Sequence, residues 1–266
     1  MEQKQMKITA VAAVVVVAAI VLVALLVPHL NLGGGGEPYR EITIEEPYSV
    51  SASDYERNNG FRAADGSMLW VFDKKVNNGL GGASHINLGL SVSTSVPPHS
   101  ITSPDGAKSF TLSFAHQGEF PNKATVNFSV GSDYEGRSFS IFTLGDINYA
   151  IGTTKVVDGM ASVTINNSTP VLFIETPRVT FDPVIGCEFS AAYVKLGESS
   201  NGDFITSVVD FNSDVVVSVT ANAGYNLVSV SVNGVPEILP ANTTVHTFTI
   251  SGISADVIVT AEVQAI

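Results

Sequence analysis

The chain of 266 residues contains a single cysteine, Cys187. No intrachain disulfide can form, so the fold must rest on its own core. No cysteine stands directly after the N-terminal apolar run, which argues against a lipid-modified one there. With no histidine or basic residue close to it in sequence, Cys187 reads as a small buried hydrophobe; an intermolecular disulfide or a reactive thiol is the sharper alternative. Charge is scarce too. Charged residues make up 14 % of the chain, against about 25 % in ordinary soluble domains. The charge present is acidic, with a formal net of −12. That surface repels phosphate backbones, which argues against nucleic acid as a partner.

Catalytic signatures are missing as well. The histidines are His29, His85, His99, His116 and His246. None sits in a nucleophile or zinc motif, and there is no His-Glu-x-x-His and no phosphate-binding glycine loop. Gly79-Leu80-Gly81-Gly82 is followed by no helical pattern. Glu45-Glu46, Asp54 with Glu56 and Asp133 with Glu135 offer carboxylate pairs of the kind glycosidases use, yet they read as solvated surface charge. Asp210-Phe211-Asn212-Ser213-Asp214 has the oxygen content of a calcium loop but reads as a strand-linking turn. The sequence therefore assigns no catalytic, cofactor-binding or metal residue and leaves ligand-binding residues open. No cofactor is expected, and the protein reads as a non-enzyme. Trp70, the one tryptophan, lies between Leu69 and Val71-Phe72 and reads as core; exposed, it would be a sugar-stacking platform. Tyr48, Tyr55, Phe61, Tyr134, Tyr149 and Tyr193 are scattered. Acceptor-type sequons begin at Asn127, Asn166, Asn167 and Asn242.

What the sequence does have begins with residues 8–27, an apolar run without a charge. A helix of that length spans roughly 30 Å, the hydrocarbon thickness of a bilayer. Lys4 and Lys7 precede it, which places residues 1–7 in the cytoplasm and the rest outside. Residues 28–37, with Gly33 to Gly36, form a flexible tether. A cleaved signal peptide is the rival, but secretory runs are shorter and Leu25-Leu26-Val27-Pro28-His29 offers no small-x-small site. Both readings put the remainder outside the cytoplasm.

From Glu37 onward period-two alternation recurs, the mark of half-buried strands. It is visible in 109–114, 124–130, 138–144, 161–165, 215–220, 228–232, 246–250 and 257–261. Asp105-Gly106, Asp158-Gly159, Asn233-Gly234 and Ser251-Gly252 separate such segments as turns. Pro236 should end the strand that returns from Asn233-Gly234. Residues 67–72 read as a buried strand and 77–82 as a long loop. Pro-bearing joints occur at Val96-Pro97-Pro98-His99 and Glu175-Thr176-Pro177-Arg178. The expected fold is all-β: an N-terminal single transmembrane helix, then two β-sandwich-like domains, 38–177 and a smaller one over 178–266. Residues 38–105 belong either to the first sandwich or to a separate module.

The stretch Val219-Thr220-Ala221-Asn222-Ala223-Gly224-Tyr225, with Val228-Ser229-Val230-Ser231-Val232-Asn233-Gly234, His246-Thr247-Phe248-Thr249-Ile250 and Asp256-Val257-Ile258-Val259, resembles the internalin-B-type B-repeat modules of prokaryotic surface proteins. The likeness covers about 45 residues and one copy of the repeat. Gly224 should supply a positive-φ turn, Tyr225 a buried ring, and Asp256 a bond to the local turn backbone. A looser resemblance, to a β-module of large secreted or wall-attached bacterial proteins, is carried by Val130-Gly131-Ser132-Asp133-Tyr134-Glu135-Gly136-Arg137 and Val156-Val157-Asp158-Gly159-Met160-Ala161-Ser162-Val163-Thr164-Ile165. Both resemblances imply an envelope location and a structural or adhesive role, with no catalytic residue to transfer. The expected partners are the lipid bilayer through residues 8–27 and a surface glycan or protein. A carbohydrate-binding or accessory envelope module, and an enzyme with an unrecognised site, are the alternatives.

Overall fold

The computed structural model describes residues 39–266, apart from 75–78, 96–100, 102, 146–147, 183, 193–194 and 202–203. The anchor at 8–27, its flanks, His29, His99, Tyr193 and the Val96–His99 joint lie outside the described residues. Among the described residues no helix is long and apolar enough to cross a membrane. Arg40–Ile266 form one compact unit, and it is all-β.

The strands, in chain order, are β1 (Glu41–Ile44), β2 (Ser49–Ser51), β3 (Gly60–Ala63), β4 (Met68–Phe72), β5 (His85–Asn87), β6 (Leu90–Ser93), β7 (Ser109–Phe114), β8 (Glu119–Ser129), β9 (Ser138–Thr143), β10 (Ala150–Lys155), β11 (Met160–Asn167) and β12 (Val171–Glu175). There follow β13 (Arg178–Phe181), β14 (Cys187–Ala192), β15 (Lys195–Asn201), β16 (Phe204–Val209), β17 (Ser213–Ala221), β18 (Tyr225–Val232), β19 (Val235–Pro236), β20 (Val245–Ile253) and β21 (Val257–Ala265). One short helix, α1 (Ala52–Arg57), is capped by Ser51, whose Oγ accepts from Asp54 N at 3.1 Å.

Two five-stranded sheets, β1-β3-β4-β8-β11 and β10-β9-β12-β7-β6, enclose the first core. Alternation decides which side chains enter it. On β8, Phe120, Ala124, Val126 and Phe128 point inward; on β11, Ala161, Val163 and Ile165 do. Phe110 stacks on Phe173 with centroids 4.5 Å apart and meets Phe139 edge-on at 5.2 Å. Trp70 is fully buried between Phe72, Phe114 and Phe120. A sugar-stacking role for Trp70 is thereby removed, because β4 lies at the centre of its sheet and turns the indole into the core. Residues 40–95 supply β1 and β3–β4 to one sheet and β6 to the other, so they are part of this lobe.

A second core of valines and small residues lies between β15-β16-β13-β21-β18-β19 and β14-β17-β20. Val215, Val217, Val219 and Ala221 of β17 face Val257, Val259 and Ala261 of β21 across it. The two cores fall on either side of Thr176-Pro177.

Asn233 (φ 51) and Gly234 (φ 78) both take the left-handed region that a tight hairpin needs. The returning β19 stops at Pro236 after two residues, as the sequence predicts. Two expectations fail locally. Ser251-Gly252 is not a turn but a bulge inside β20, where Ser213 pairs with Ile253 and Val215 with Ile250. Gly252 (φ 61) supplies the left-handed residue that such a bulge requires. A second irregularity, between Leu227 and Ser229, puts Leu227 and Val230 in the core and leaves Val228 52 % exposed. Strict alternation from 228 predicts Val228 inside.

One half-buried cation is a local test of packing. Lys74 Nζ sits 3.7 Å above the Tyr55 ring and donates to the carbonyls of Tyr55 and Asn58. The Tyr55 hydroxyl donates to Asn122 Oδ1 at 2.9 Å inside the core. Burial, opposed by the Glu56 charge, pulls the Lys74 ammonium down to about 8 from 10.5, and burial pushes the Tyr55 phenol up. From pH 8 to 10.5 the unfolded chain holds the Lys74 proton that the folded chain has released, so stability rises with pH in that window. Above about pH 10 the neutral Tyr55 of the folded state opposes the gain. We expect the melting temperature of wild type to gain more than that of Lys74→Met between pH 8 and pH 10. Equal slopes would refute the perturbed ammonium.

Candidate functional site

The most connected polar cluster lies where the lobes meet. Only Thr176 and Pro177 separate β12 from β13, so the chain passes directly from one core to the other. Thr176 is buried; its N–H donates to Ser138 O at 2.9 Å, and its Oγ1 lies 2.8 Å from Ser140 Oγ. Glu175 is 1 % exposed. Its carboxylate accepts from Arg137 Nη1 and, at 3.0 Å, from Lys108 N. β13 runs parallel to β21, with Val179 opposite Val257, which brings Asp256 beside Arg178. Asp256 Oδ1 accepts from Arg178 N at 3.1 Å. Its Oδ2 accepts from Ser138 Oγ at 3.0 Å and Lys155 Nζ at 2.7 Å, both in the first lobe. Arg178 Nη2 donates to Thr153 Oγ1 at 2.7 Å.

These groups border a cavity of about 210 Å³ lined by Glu135, Gly136, Arg137, Ser138, Glu175, Pro177, Ser254, Ala255 and Asp256. Each carboxylate named in the cluster already has a cation or a backbone donor, and the three cations are held by Glu175, Asp256 and the Thr153 hydroxyl. Chemically the cluster ties the lobes; it offers no poised acid, base or nucleophile. The sequence expectation that Asp256 bonds a local turn is corrected here, since Asp256 reaches across to the other lobe. Lys155–Asp256 is half-exposed, so the pair itself contributes about 0–1 kcal/mol. The sequence reading named Glu175 only in a Pro-bearing joint and Arg137 only within a motif, and gave neither a role in a site.

A second cleft, about 320 Å³, is lined by Gly79, Leu80, Gly81, Ala83, His85, Ile86, His116, Glu119, Phe120 and Pro121. His116 stacks on Phe120 at 4.9 Å, with Nε2 3.0 Å from Glu119 O. His85 Nδ1 lies 3.1 Å from Ser84 Oγ. Two of the five histidines thus share one cleft. It combines an apolar floor with two imidazoles, which suits a small ligand carrying a ring and hydroxyls. Among the described residues that line it there is no Ser, Thr or Cys.

The remaining candidates do not converge. His246 stacks on Phe248 at 5.3 Å, with Nε2 3.9 Å from Glu237 Oε2. Glu45, Glu46, Asp54, Glu56, Asp133 and Glu135 are exposed. Glu135 accepts from Gly159 N at 2.7 Å. Residues 210–212 link β16 to β17, which begins at Ser213, and Ser213 Oγ donates to Asp210 O at 2.6 Å. Burial pushes the Asp210 carboxyl up. Among the described residues no group of three or more His, Cys, Asp or Glu is placed to hold a metal ion. Cys187 is half-buried against the second core, and burial, with Glu188 beside it, pushes its thiol up. That disfavours the thiolate and with it the reactive-thiol alternative. Tyr48 and Tyr134 are half-buried, Tyr55 and Phe61 are buried, and Tyr149 is exposed. Asn166 and Asn242 are exposed, whereas Asn167 Oδ1 accepts from Thr169 N at 3.0 Å.

No protein-family model matches this chain, and no curated protein does.

Proposed function

We propose that this is a membrane-anchored, extracytoplasmic surface protein with a structural or adhesive, non-catalytic role. Residues 8–27 hold it in the bilayer with the N-terminus inside, residues 28–37 tether it, and the β-lobes meet a surface glycan or protein. The observation that carries this reading is the lobe junction. A pull on either lobe passes along β12 into β13, and the Asp256 ties to Ser138 and Lys155 resist their separation. The outer faces add hydroxyl pairs between strands: Thr125 with Thr164 at 3.1 Å, Ser218 with Thr247 at 2.8 Å, Ser231 with Thr260 at 2.7 Å. Such faces stay wetted without strong charge and suit broad surface contact. The likeness of the second lobe to B-repeat modules supports the same reading.

Protease added to intact cells is expected to remove the region after residue 37 while the anchor stays with the membrane. If that region survives while a surface control is cut, the reading fails. The His116–Phe120 cleft favours a second reading, a carbohydrate-binding or accessory envelope module. Saturable binding to a glycan array that is lost in His116→Ala, with the fold intact, would select it.

A further inference from the structure

The four acceptor-type sequons, beginning at Asn127, Asn166, Asn167 and Asn242, are separated by the fold. Asn127 is half-buried in the middle of β8, opposite Leu69 on one side and Ser162 on the other. Asn167 is half-buried, and its Oδ1 accepts from Thr169 N at 3.0 Å. Asn166 is exposed but belongs to β11, at the bulge between Ile165 and Asn167. Ser168, the hydroxyl residue of its sequon, is held through its N–H to Gly118 O at 2.9 Å. A sequon is modified where it lies free on the surface, typically in a loop. These three do not.

Asn242 is placed otherwise. It lies exposed, at φ 58, in the 237–244 loop between β19 and β20. The loop is held at its ends and by one apolar contact. Glu237 N donates to Val230 O at 2.8 Å, and Leu239 packs against the second core. The carbonyls of Thr243 and Thr244 accept from Leu227 N at 2.9 Å and Ala221 N at 2.8 Å, and Thr243 Oγ1 donates to Pro240 O at 2.6 Å. None of these bonds uses the Asn242 amide or the Thr244 hydroxyl, the two groups a sequon needs, and both residues are exposed. A second feature marks the same loop. Ile238 is 93 % exposed, and Val235 and Val245, on the strands at either end, are 67 % and 54 % exposed. Apolar side chains gathered on one surface call for a cover, and the one charge in the loop is Glu237.

We propose that Asn242 is an N-glycosylation site. This rests on the extracytoplasmic reading above, because the transfer takes place on the outer side of the membrane. The donor is a sugar chain carried on a lipid phosphate, and the catalyst is a membrane-bound transferase of the host. Asn242 Nδ2 attacks the anomeric carbon of the donor and loses one proton to a base of the transferase. The bond from that carbon to the phosphate oxygen breaks, and the lipid phosphate leaves with the electron pair. Thr244, two positions on, supplies the hydroxyl by which the transferase reads the sequon. The product is a bulky, solubilising group rooted between Ile238 and Val245. It wets that apolar loop with neutral hydroxyls and adds nothing to the net charge of −12.

The test is tandem mass spectrometry of peptides from the full chain, isolated from the membranes of its own host, with electron-transfer fragmentation to place any added mass. The Asn242 peptide should carry a sugar mass on that residue, and the Asn127 and Asn167 peptides none. Thr244→Ala keeps Asn242 and the carbonyl that Ala221 uses, so the fold is retained, and it should abolish the added mass. Thr244→Ser should keep it. Asn242→Gln should lose the same mass as Thr244→Ala. An unmodified Asn242 in a chain that protease on intact cells cuts after residue 37 overturns the inference and leaves the surface reading standing. A chain that protease on intact cells does not reach overturns both. Added mass that survives Thr244→Ala, or that sits on Asn166 instead, also overturns the assignment to Asn242.

Discussion

Replacing Trp70 by alanine is expected to lower the unfolding free energy by about 3–5 kcal/mol. The indole is fully buried in the middle of its sheet, with Phe61 and Val126 as its cross-strand neighbours. It lies 5.1 Å from the Phe120 ring and 5.9 Å from that of Phe114, in tilted and edge-on contacts. Removing it leaves a cavity that rings held by three other strands cannot close. For a unit of this size each kcal/mol shifts the melting temperature by about 2–4 °C. Trp70→Phe should cost much less. The indole Nε1 is buried with no hydrogen-bond partner among the described residues, and a buried donor left so costs about 1–3 kcal/mol. Phenylalanine removes that penalty while filling most of the space. Because Trp70 is the one tryptophan, unfolding of both variants must be followed by circular dichroism or calorimetry. An alanine variant within about 1 kcal/mol of wild type would mean that the site is open to solvent, and would return Trp70 to consideration as a binding platform.

The second large effect is expected at Arg137. Its guanidinium holds the Glu175 carboxylate, whose side chain is 2 % exposed, while Arg137 itself is 35 % exposed. Arg137→Met leaves the carboxylate in the lobe junction with the Lys108 N–H as its remaining donor. Breaking a buried pair from one side typically costs about 3–5 kcal/mol, because an uncompensated charge stays inside. The partial exposure of Arg137 puts the expectation at the lower end of that range. Adding Glu175→Gln to Arg137→Met removes the stranded charge and should recover most of the loss. The double-mutant cycle then reads the coupling directly. Additive single effects would show that the pair is not coupled and that the junction is held elsewhere.

Much of the fold was legible in the chain because one face of each strand is buried and the other is wet. Glu119–Ser129, Met160–Asn167 and Ser213–Ala221 alternate in sequence as they do in burial. Val171–Glu175 was not legible for the opposite reason. β12 is central in its sheet and buried along its whole length, so its residues alternate nothing. The bulges in β18 and β20 shift the phase by one residue, which periodicity cannot foresee. Ser251-Gly252 looked like a turn because bulge and turn ask the same left-handed freedom of glycine. Trp70 was read correctly from its apolar neighbours. The junction was illegible, since Ser138 and Asp256 stand 118 positions apart and meet through a parallel pairing of β13 and β21 that no local pattern encodes. The His85–His116 cleft was hidden likewise, because its histidines come from separate strands and loops.

The two-residue passage from β12 to β13 also bears on how such a protein can change over generations. A gene segment spliced at Pro177 would bring in a complete set of strands and a complete core. It would not bring Ser138 and Lys155, the partners that Asp256 uses in the neighbouring lobe. Recombination at this point therefore separates Asp256 from the side chains it bonds in the other lobe. The two lobes are expected to be inherited as a block, and substitutions at Ser138, Lys155 and Asp256 to be accepted in concert rather than singly.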